Sequence, residues 1–215
     1  MDTLVARQQM VDQQVRTWEV LDPAVLAALA AVPREAFVPA PYEALAFADA
    51  SIPIGFGQCM LAPKLQGRIL QALGIEASDA ALEIGTGTGY LCACMERLAG
   101  SVRSIELHAE LADIARANLR AMACAANVEN RDAFDSAPLG EFDAIAITAS
   151  LPVYDRRFEQ ALRIGGRLFV VVGVAPAMDA LLVRRVSETQ WLRESLFETV
   201  LDKLVGAAAP DGFVF

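Results

Sequence analysis

The 215-residue chain is 55% hydrophobic, enough for one α/β domain whose core needs neither disulfide nor metal, and short for two domains. Its formal net charge is −9, with no basic cluster larger than pairs such as Arg156-Arg157 and Arg184-Arg185, which argues against nucleic acid as the main partner because phosphate binding wants a basic face. No apolar run approaches the roughly 20 residues of a membrane span, and Met1–Gln14 lacks the basic start and apolar stretch of a signal peptide; cytoplasm is expected, and no membrane.

In chain order, Leu4, Met10 or Val11, Val15 and Trp18 recur at helical spacing and predict one amphipathic helix with a Gln-rich polar face. Asp22-Pro23, a capping acid before proline at the first helical position, opens a second helix that ends before Pro33. From Phe37 to Pro63 the prolines and glycines predict an irregular stretch, too apolar for disorder and so expected to be functional. A helix over Lys64–Leu73 follows.

From Ala80 onward strands and helices alternate. Strands are predicted at Ala81–Ile84, Ser101–Glu106, Val128–Arg131, Phe142–Thr148 and Arg167–Val172, the last entered through a turn at Gly165-Gly166. Helices are predicted at Tyr90–Leu98, Ala109–Met122 and near Tyr154–Leu162. Leu181–Val186 and Trp191–Phe197 flank a polar turn and read as an antiparallel hairpin. The rhythm predicts an α/β fold: a doubly wound, mostly parallel seven-stranded sheet with an N-terminal helical extension and a C-terminal hairpin.

Cys59, Cys92, Cys94 and Cys124 form no CxxC pair, and His108 is the single histidine. No metal site is therefore expected, and neither is a Ser-His-Asp triad. His108 reads as a helix-start surface residue, and Trp18 as core or as a cover over a ligand cleft.

The sharpest motif is Leu82-Glu83-Ile84-Gly85-Thr86-Gly87-Thr88-Gly89-Tyr90, between a strand and a helix. Its glycines allow a tight turn and close approach of a ligand to the backbone. The spacing is G-x-G-x-G, and Tyr90 stands where a dinucleotide fingerprint wants Gly or Ala, which speaks against a nicotinamide dinucleotide. Glu106, at the end of the next strand, suits two ribose hydroxyls. Asp132, after the third strand, either reaches an adenine amino group or caps its own loop.

These features resemble the class I methyltransferases, together with Phe142-Asp143-Ala144-Ile145 and Leu162-x-x-Gly165-Gly166-Arg167-Leu168. Closer still, Val32-Pro33-Arg34-Glu35-Ala36-Phe37-Val38-Pro39, Phe47-x-Asp49 and Ile52-Pro53-Ile54-Gly55-x-Gly57-Gln58 look like the protein-L-isoaspartate O-methyltransferase family, which repairs damaged proteins by esterifying isoaspartyl carboxylates. The resemblance spans residues 8–186 and implies S-adenosylmethionine as cofactor and a polypeptide as acceptor. The cofactor set it implies is Gln58, Cys59 and Met60 from the loop, then Glu83, Gly85, Thr86, Gly87, Thr88, Gly89 and Tyr90 from the cradle. Glu106 and Leu107 complete it after the second strand, and Asp132 and Ala133 after the third. Residues 1–215 form one expected domain: 1–75 carries the helices and acceptor-side loop, 76–215 the cofactor-binding core.

The family follows its Gly-x-Gly-Gln with Thr-Ile-Ser-Gln-Pro, whose serine is implied to belong to the active site. This chain has Cys59-Met60-Leu61-Ala62-Pro63, placing Leu61 at the serine. Asp49, Gln58 and Leu61 are the candidate catalytic positions. A carboxylate acceptor is ionised at neutral pH, its reference pKa being about 4, and needs no general base. Losing the serine therefore need not abolish the chemistry, but it removes a directed hydrogen bond and makes burying a substrate carboxylate against Leu61 unfavourable. An unidentified small-molecule acceptor, with Asp49 as base, is the alternative; a binding module without catalysis is the third.

Overall fold

The computed structural model describes residues 3–210; the ends of the expected domain, residues 1–2 and 211–215, lie outside it. Its centre is a seven-stranded sheet built from β3 (Ala80–Ile84), β4 (Ser101–Glu106), β5 (Asn127–Asn130), β6 (Phe142–Leu151), β7 (Leu162–Val174), β8 (Ala177–Arg185) and β9 (Trp191–Glu198). The order is β5-β4-β3-β6-β7-β8-β9. β5 through β7 are mutually parallel, and β8 and β9 join antiparallel. The expected sheet and terminal hairpin are both present.

Alternation along the central strands explains how both faces are covered. On β3 and β6 the side chains of Ala81, Ala144 and Ala146 belong to one buried cluster, and those of Leu82, Ile84, Ile145 and Ile147 to the other. Successive residues point to opposite faces of a sheet, so each strand feeds two cores. The alanine face carries α3 (Pro63–Leu73), α4 (Tyr90–Glu96) and α5 (Ala109–Ala121), together with the N-terminal elements. α6 (Arg156–Gln160) is a single short turn on the other face, where Phe158 is fully buried. Arg167 ties β7 to the end of α3 by donating to the carbonyls of Leu73 (2.7 Å) and Gly74 (2.6 Å) and pairing with Asp79 (2.7 Å).

Four local expectations change. The first helix is not continuous: α1 (Thr3–Met10) passes into a π turn at Val11–Val15 and a 3₁₀ turn at Arg16–Trp18. The π turn changes the phase of the helix, and Met10, Val11 and Val15 all reach the core. The stretch from Phe37 to Pro63 is not structureless. It holds 3₁₀ turns and an antiparallel hairpin of β1 (Ile52–Gly55) and β2 (Gln58–Met60). Gly165-Gly166 falls inside β7, where the pairing with β6 slips. The helix expected near Tyr154–Leu162 shrinks to α6, because Ala161 and Leu162 already belong to the approach to β7. No helix among the described residues is long and apolar enough to cross a membrane.

α2 (Pro23–Ala31) is capped as expected: Asp22 Oδ1 accepts from the N–H groups of Ala24 (2.8 Å) and Val25 (3.4 Å). Asp22→Ala should destabilise the fold by about 1 kcal/mol. Urea denaturation would show this as a lower midpoint with unchanged slope; an unchanged midpoint would mean the cap contributes nothing.

Candidate functional site

The order of the sheet reverses between β3 and β6, and a cavity of about 340 Å³ opens at the carboxyl ends of the strands there. That is where open α/β sheets bind ligands. Its floor is the cradle after β3. Gly85 and Gly87 adopt φ of 94° and 55°, values at which a side chain is strained. A Cβ on Gly85 would lie 2.3 Å from Thr148 Oγ1, and one on Gly87 would lie 2.9 Å from Ile54 Cδ1. Glycine is favoured at both by the positive φ, and at Gly85 also by the lack of space beside Thr148. At Gly89 the missing Cβ lets α4 lie close against Ala115 and Leu119 of α5, and the residue lines neither this cavity nor the smaller pocket beneath the cradle.

Glu106 ends β4 with its carboxylate fixed. Oε2 accepts from Gly87 N–H (2.8 Å) and Oε1 from His108 N–H (3.0 Å), and the residue lines the cavity. Both oxygens keep lone pairs for further donors. Leu107, Asp132 and Ala133 line the same cavity, and Asp132 also caps its loop by accepting from Phe134 N–H (2.8 Å). Of the two readings of Asp132 the loop cap is observed, and its place in the lining leaves the other open.

A smaller pocket of about 30 Å³ continues beneath the cradle, lined by Met60, Glu83, Thr86, Thr88 and Tyr90 among others. Glu83 is fully buried there. Ser104 donates to its Oε2 (2.5 Å) and is itself linked to Thr86 (2.6 Å), while Oε1 has no partner among the described residues. Burial, reinforced by the charge of Glu106, pushes the Glu83 carboxyl up to about 8.

On the open side the cavity is walled by Ser51, Gln58, Cys59 and Leu61 from the hairpin and the chain just after it. Gln58 is half-buried and Leu61 buried. The Cys59 thiol is pushed up by burial and by Asp202 beside it. Asp49 does not reach this space: it is exposed, with Oδ2 2.7 Å from Lys64 Nζ, and lines neither pocket. Trp18 is neither core nor cover, since its ring is partly exposed and lies 4.3 Å from the Lys64 ammonium.

Sequence reasoning missed two parts of the wall. His108 faces the cavity and stacks on Phe56 from the hairpin tip, with centroids 4.8 Å apart. Val200, Leu201, Asp202, Leu204 and Val205 form the far side. This last segment is pinned to the end of β6, where Ser150 donates its N–H to the Asp202 carbonyl (2.8 Å) and its hydroxyl to that of Leu201 (3.0 Å). Nothing in its residue pattern marks it as an element. His108 had a positional signal, two residues beyond a strand-end acid.

The layered sheet and its strand-end cradle have the architecture of the class I methyltransferases. The protein family described as Protein-L-isoaspartate(D-aspartate) O-methyltransferase (PCMT) matches residues 5–203. The curated Protein-L-isoaspartate O-methyltransferase of Rhodopseudomonas palustris is 37% identical over 201 residues, covering 92% of each chain. That of Methanoregula boonei is 39% identical over 182 residues, covering 83% of each. Among solved structures, a protein-L-isoaspartate O-methyltransferase from Plasmodium falciparum in complex with S-adenosyl-L-homocysteine has the same fold. Its TM-score is 0.80 at 17% identity, covering 92% of this chain and 97% of that one. The chain belongs to the protein-L-isoaspartate O-methyltransferase family.

Glu83 links the site to stability. Its folded pKa, about 8, lies above the ordinary 4.5, so between those values the folded chain holds a proton that the unfolded chain has released. Stability should therefore fall as pH rises from about 4.5 through 8. Glu83→Gln keeps the neutral shape, so its melting temperature should decline less across that window than the wild type's. Parallel curves would mean that Glu83 is ionised in the folded protein.

Proposed function

We propose that the chain transfers the methyl group of S-adenosylmethionine to the free carboxylate of an isoaspartyl residue in a polypeptide, and that residues 1–215 act as one domain. The observation that carries this reading is Glu106: a fixed carboxylate at the end of β4, beside glycines that leave the backbone open, in a chain of this family. The donor set fits the cofactor's chemistry. Glu106 has lone pairs for ribose hydroxyls, and Asp132 a second oxygen for an adenine amino group. Glu83 Oε1 suits the ammonium of the amino-acid end.

When bound, the cofactor supplies a methyl group activated by a sulfonium. The acceptor carboxylate would take that methyl group in a displacement in which a C–O bond replaces the S–CH₃ bond and sulfur keeps the electron pair. No proton moves, because the carboxylate is already ionised at neutral pH. The chain's contribution is to hold the two reactants in line and exclude water, and positioning of this kind supplies much of the acceleration in such displacements. Leu61, Val200, Leu201 and Leu204 give the reacting space apolar walls.

Incubation with labelled S-adenosylmethionine and an isoaspartyl peptide should yield a base-labile methyl ester. Turnover no higher than a heat-killed control would overturn the reading. Glu106→Ala should raise the cofactor dissociation constant by roughly 10- to 100-fold, the loss of hydrogen bonds to a charged group. Calorimetry would measure it; an unchanged constant would remove Glu106 from the cofactor site.

A further inference from the structure

An isoaspartyl carboxylate brought against Leu61 meets an alkyl group, and a carboxylate taken out of water needs a hydrogen-bond donor beside it. Donors among the cavity's lining residues are few, and most are already engaged. Arg131 gives both its Nε and an Nη to Asp135 (2.8 and 2.6 Å). The Thr148 hydroxyl is held by the carbonyls of Ile84 (3.0 Å) and Gly85 (2.8 Å). The Cys59 thiol faces Asp202, an acid that discourages a second anion. Gln58 contacts the Phe56 carbonyl only loosely, at 3.4 Å, and His108 has an unpartnered Nε2 on a ring stacked against Phe56.

Ser51 is different. It is exposed, lines the cavity, and its hydroxyl meets no partner among the described residues. Its place follows from strand register. β1 and β2 pair Ile52 with Met60 and Pro53 with Cys59, so one further step sets Ser51 across from Leu61. Residues directly opposite on an antiparallel pair project from the same face, with Cβ atoms about 4.5–5.5 Å apart. Both residues line the same cavity. Continuing the register thus sets the free hydroxyl on the hairpin arm facing the one that leads to Leu61.

We propose that Ser51 donates a hydrogen bond to the substrate's isoaspartyl carboxylate, holding one oxygen so that the other is aimed at the methyl group. This rests on the isoaspartyl reading given above. Gln58, held only by its 3.4 Å contact to the Phe56 carbonyl, and His108, whose ring is stacked on Phe56, are the other available donors in the cavity, but the hairpin register relates Ser51 rather than either of them to Leu61.

Steady-state kinetics with S-adenosylmethionine and an isoaspartyl peptide test the assignment. Ser51→Ala should lower kcat/KM by roughly 10- to 100-fold, the size of one hydrogen bond to a charged group. The calorimetric cofactor affinity and the melting temperature should stay at wild-type values. Ser51→Thr, which keeps the hydroxyl, should retain most of the activity. The double variant Ser51→Ala with Leu61→Ser, which moves the hydroxyl across the hairpin, should recover part of the loss. Activity of Ser51→Ala within about twofold of wild type, a factor too small for such a bond, overturns the assignment and leaves the isoaspartyl reading standing. So does a loss that neither threonine nor the relocated serine repairs. Absence of turnover in the wild type itself overturns both.

Discussion

The buried guanidinium of Arg34 is the constraint on which the rest of the structure depends. It is wholly inaccessible, yet no carboxylate pairs with it among the described residues. Its donors go to the carbonyls of Ala46 (2.9 Å) and Leu61 (2.8 Å) and to the side-chain oxygen of Gln66, and its face lies 5.0 Å from the Tyr90 ring centroid. Burial holds its pKa below the usual arginine value. The arrangement makes sense from the acceptors' side. A loop that is buried must find donors for its carbonyls, and each one left unpaired costs about 1–3 kcal/mol. One planar cation satisfies two such carbonyls and the Gln66 side chain, and joins four pieces of chain: the 3₁₀ segment before the hairpin, the loop at Leu61, α3 and α4.

The site divides along the line this clamp draws. The cofactor half is made of strand ends, held by the ladder of a parallel sheet and by carboxylates such as Glu106 that fix neighbouring N–H groups. The acceptor half is made of pieces outside the sheet's parallel core: a short hairpin held from below by Arg34, and a terminal segment held by Ser150. Backbone carbonyls receive most of the bonds that fix these pieces, through Leu61, Leu201 and Asp202. Side chains facing the acceptor can therefore change with little effect on position. Leu61 illustrates this: its carbonyl stays on Arg34 whatever its side chain is.

That division also explains what could be read in advance. Strand alternation, the Asp22 cap and the glycine cradle are local patterns whose physics acts within a few residues, and each appears where it was expected. The hairpin was hidden because Pro53, Gly55 and Gly57 read as breakers while β2 is only three residues long. The wall at Val200–Val205 was hidden because it is positioned by Ser150, some fifty residues away in sequence, without periodicity of its own. Asp49 misled for a similar reason: its partner is Lys64, and only the fold brings the two together. The helix-start reading of His108 holds, since it is the residue before α5. A helix-start residue at the carboxyl edge of a sheet also faces the ligand crevice, and the local pattern carries only the first of those facts.

Tyr90 shows the same limit from the opposite direction. Its bulk after the glycines argued against a dinucleotide through steric exclusion at the phosphate. In the fold the ring points inward, wholly buried, edge-on to Phe37 at 5.6 Å and beneath Arg34. It touches only the small pocket under the cradle. A large aromatic residue at this position is stable only if another layer covers that end of α4, and here the layer is the N-terminal segment that carries Phe37. A bare doubly wound sheet would leave the ring in water and lose the area it buries. Tyr90 therefore reports on the N-terminal extension more directly than on the ligand. The extension supplies the acceptor side of the cavity, so Tyr90 is in physical terms the joint between the two halves of the site.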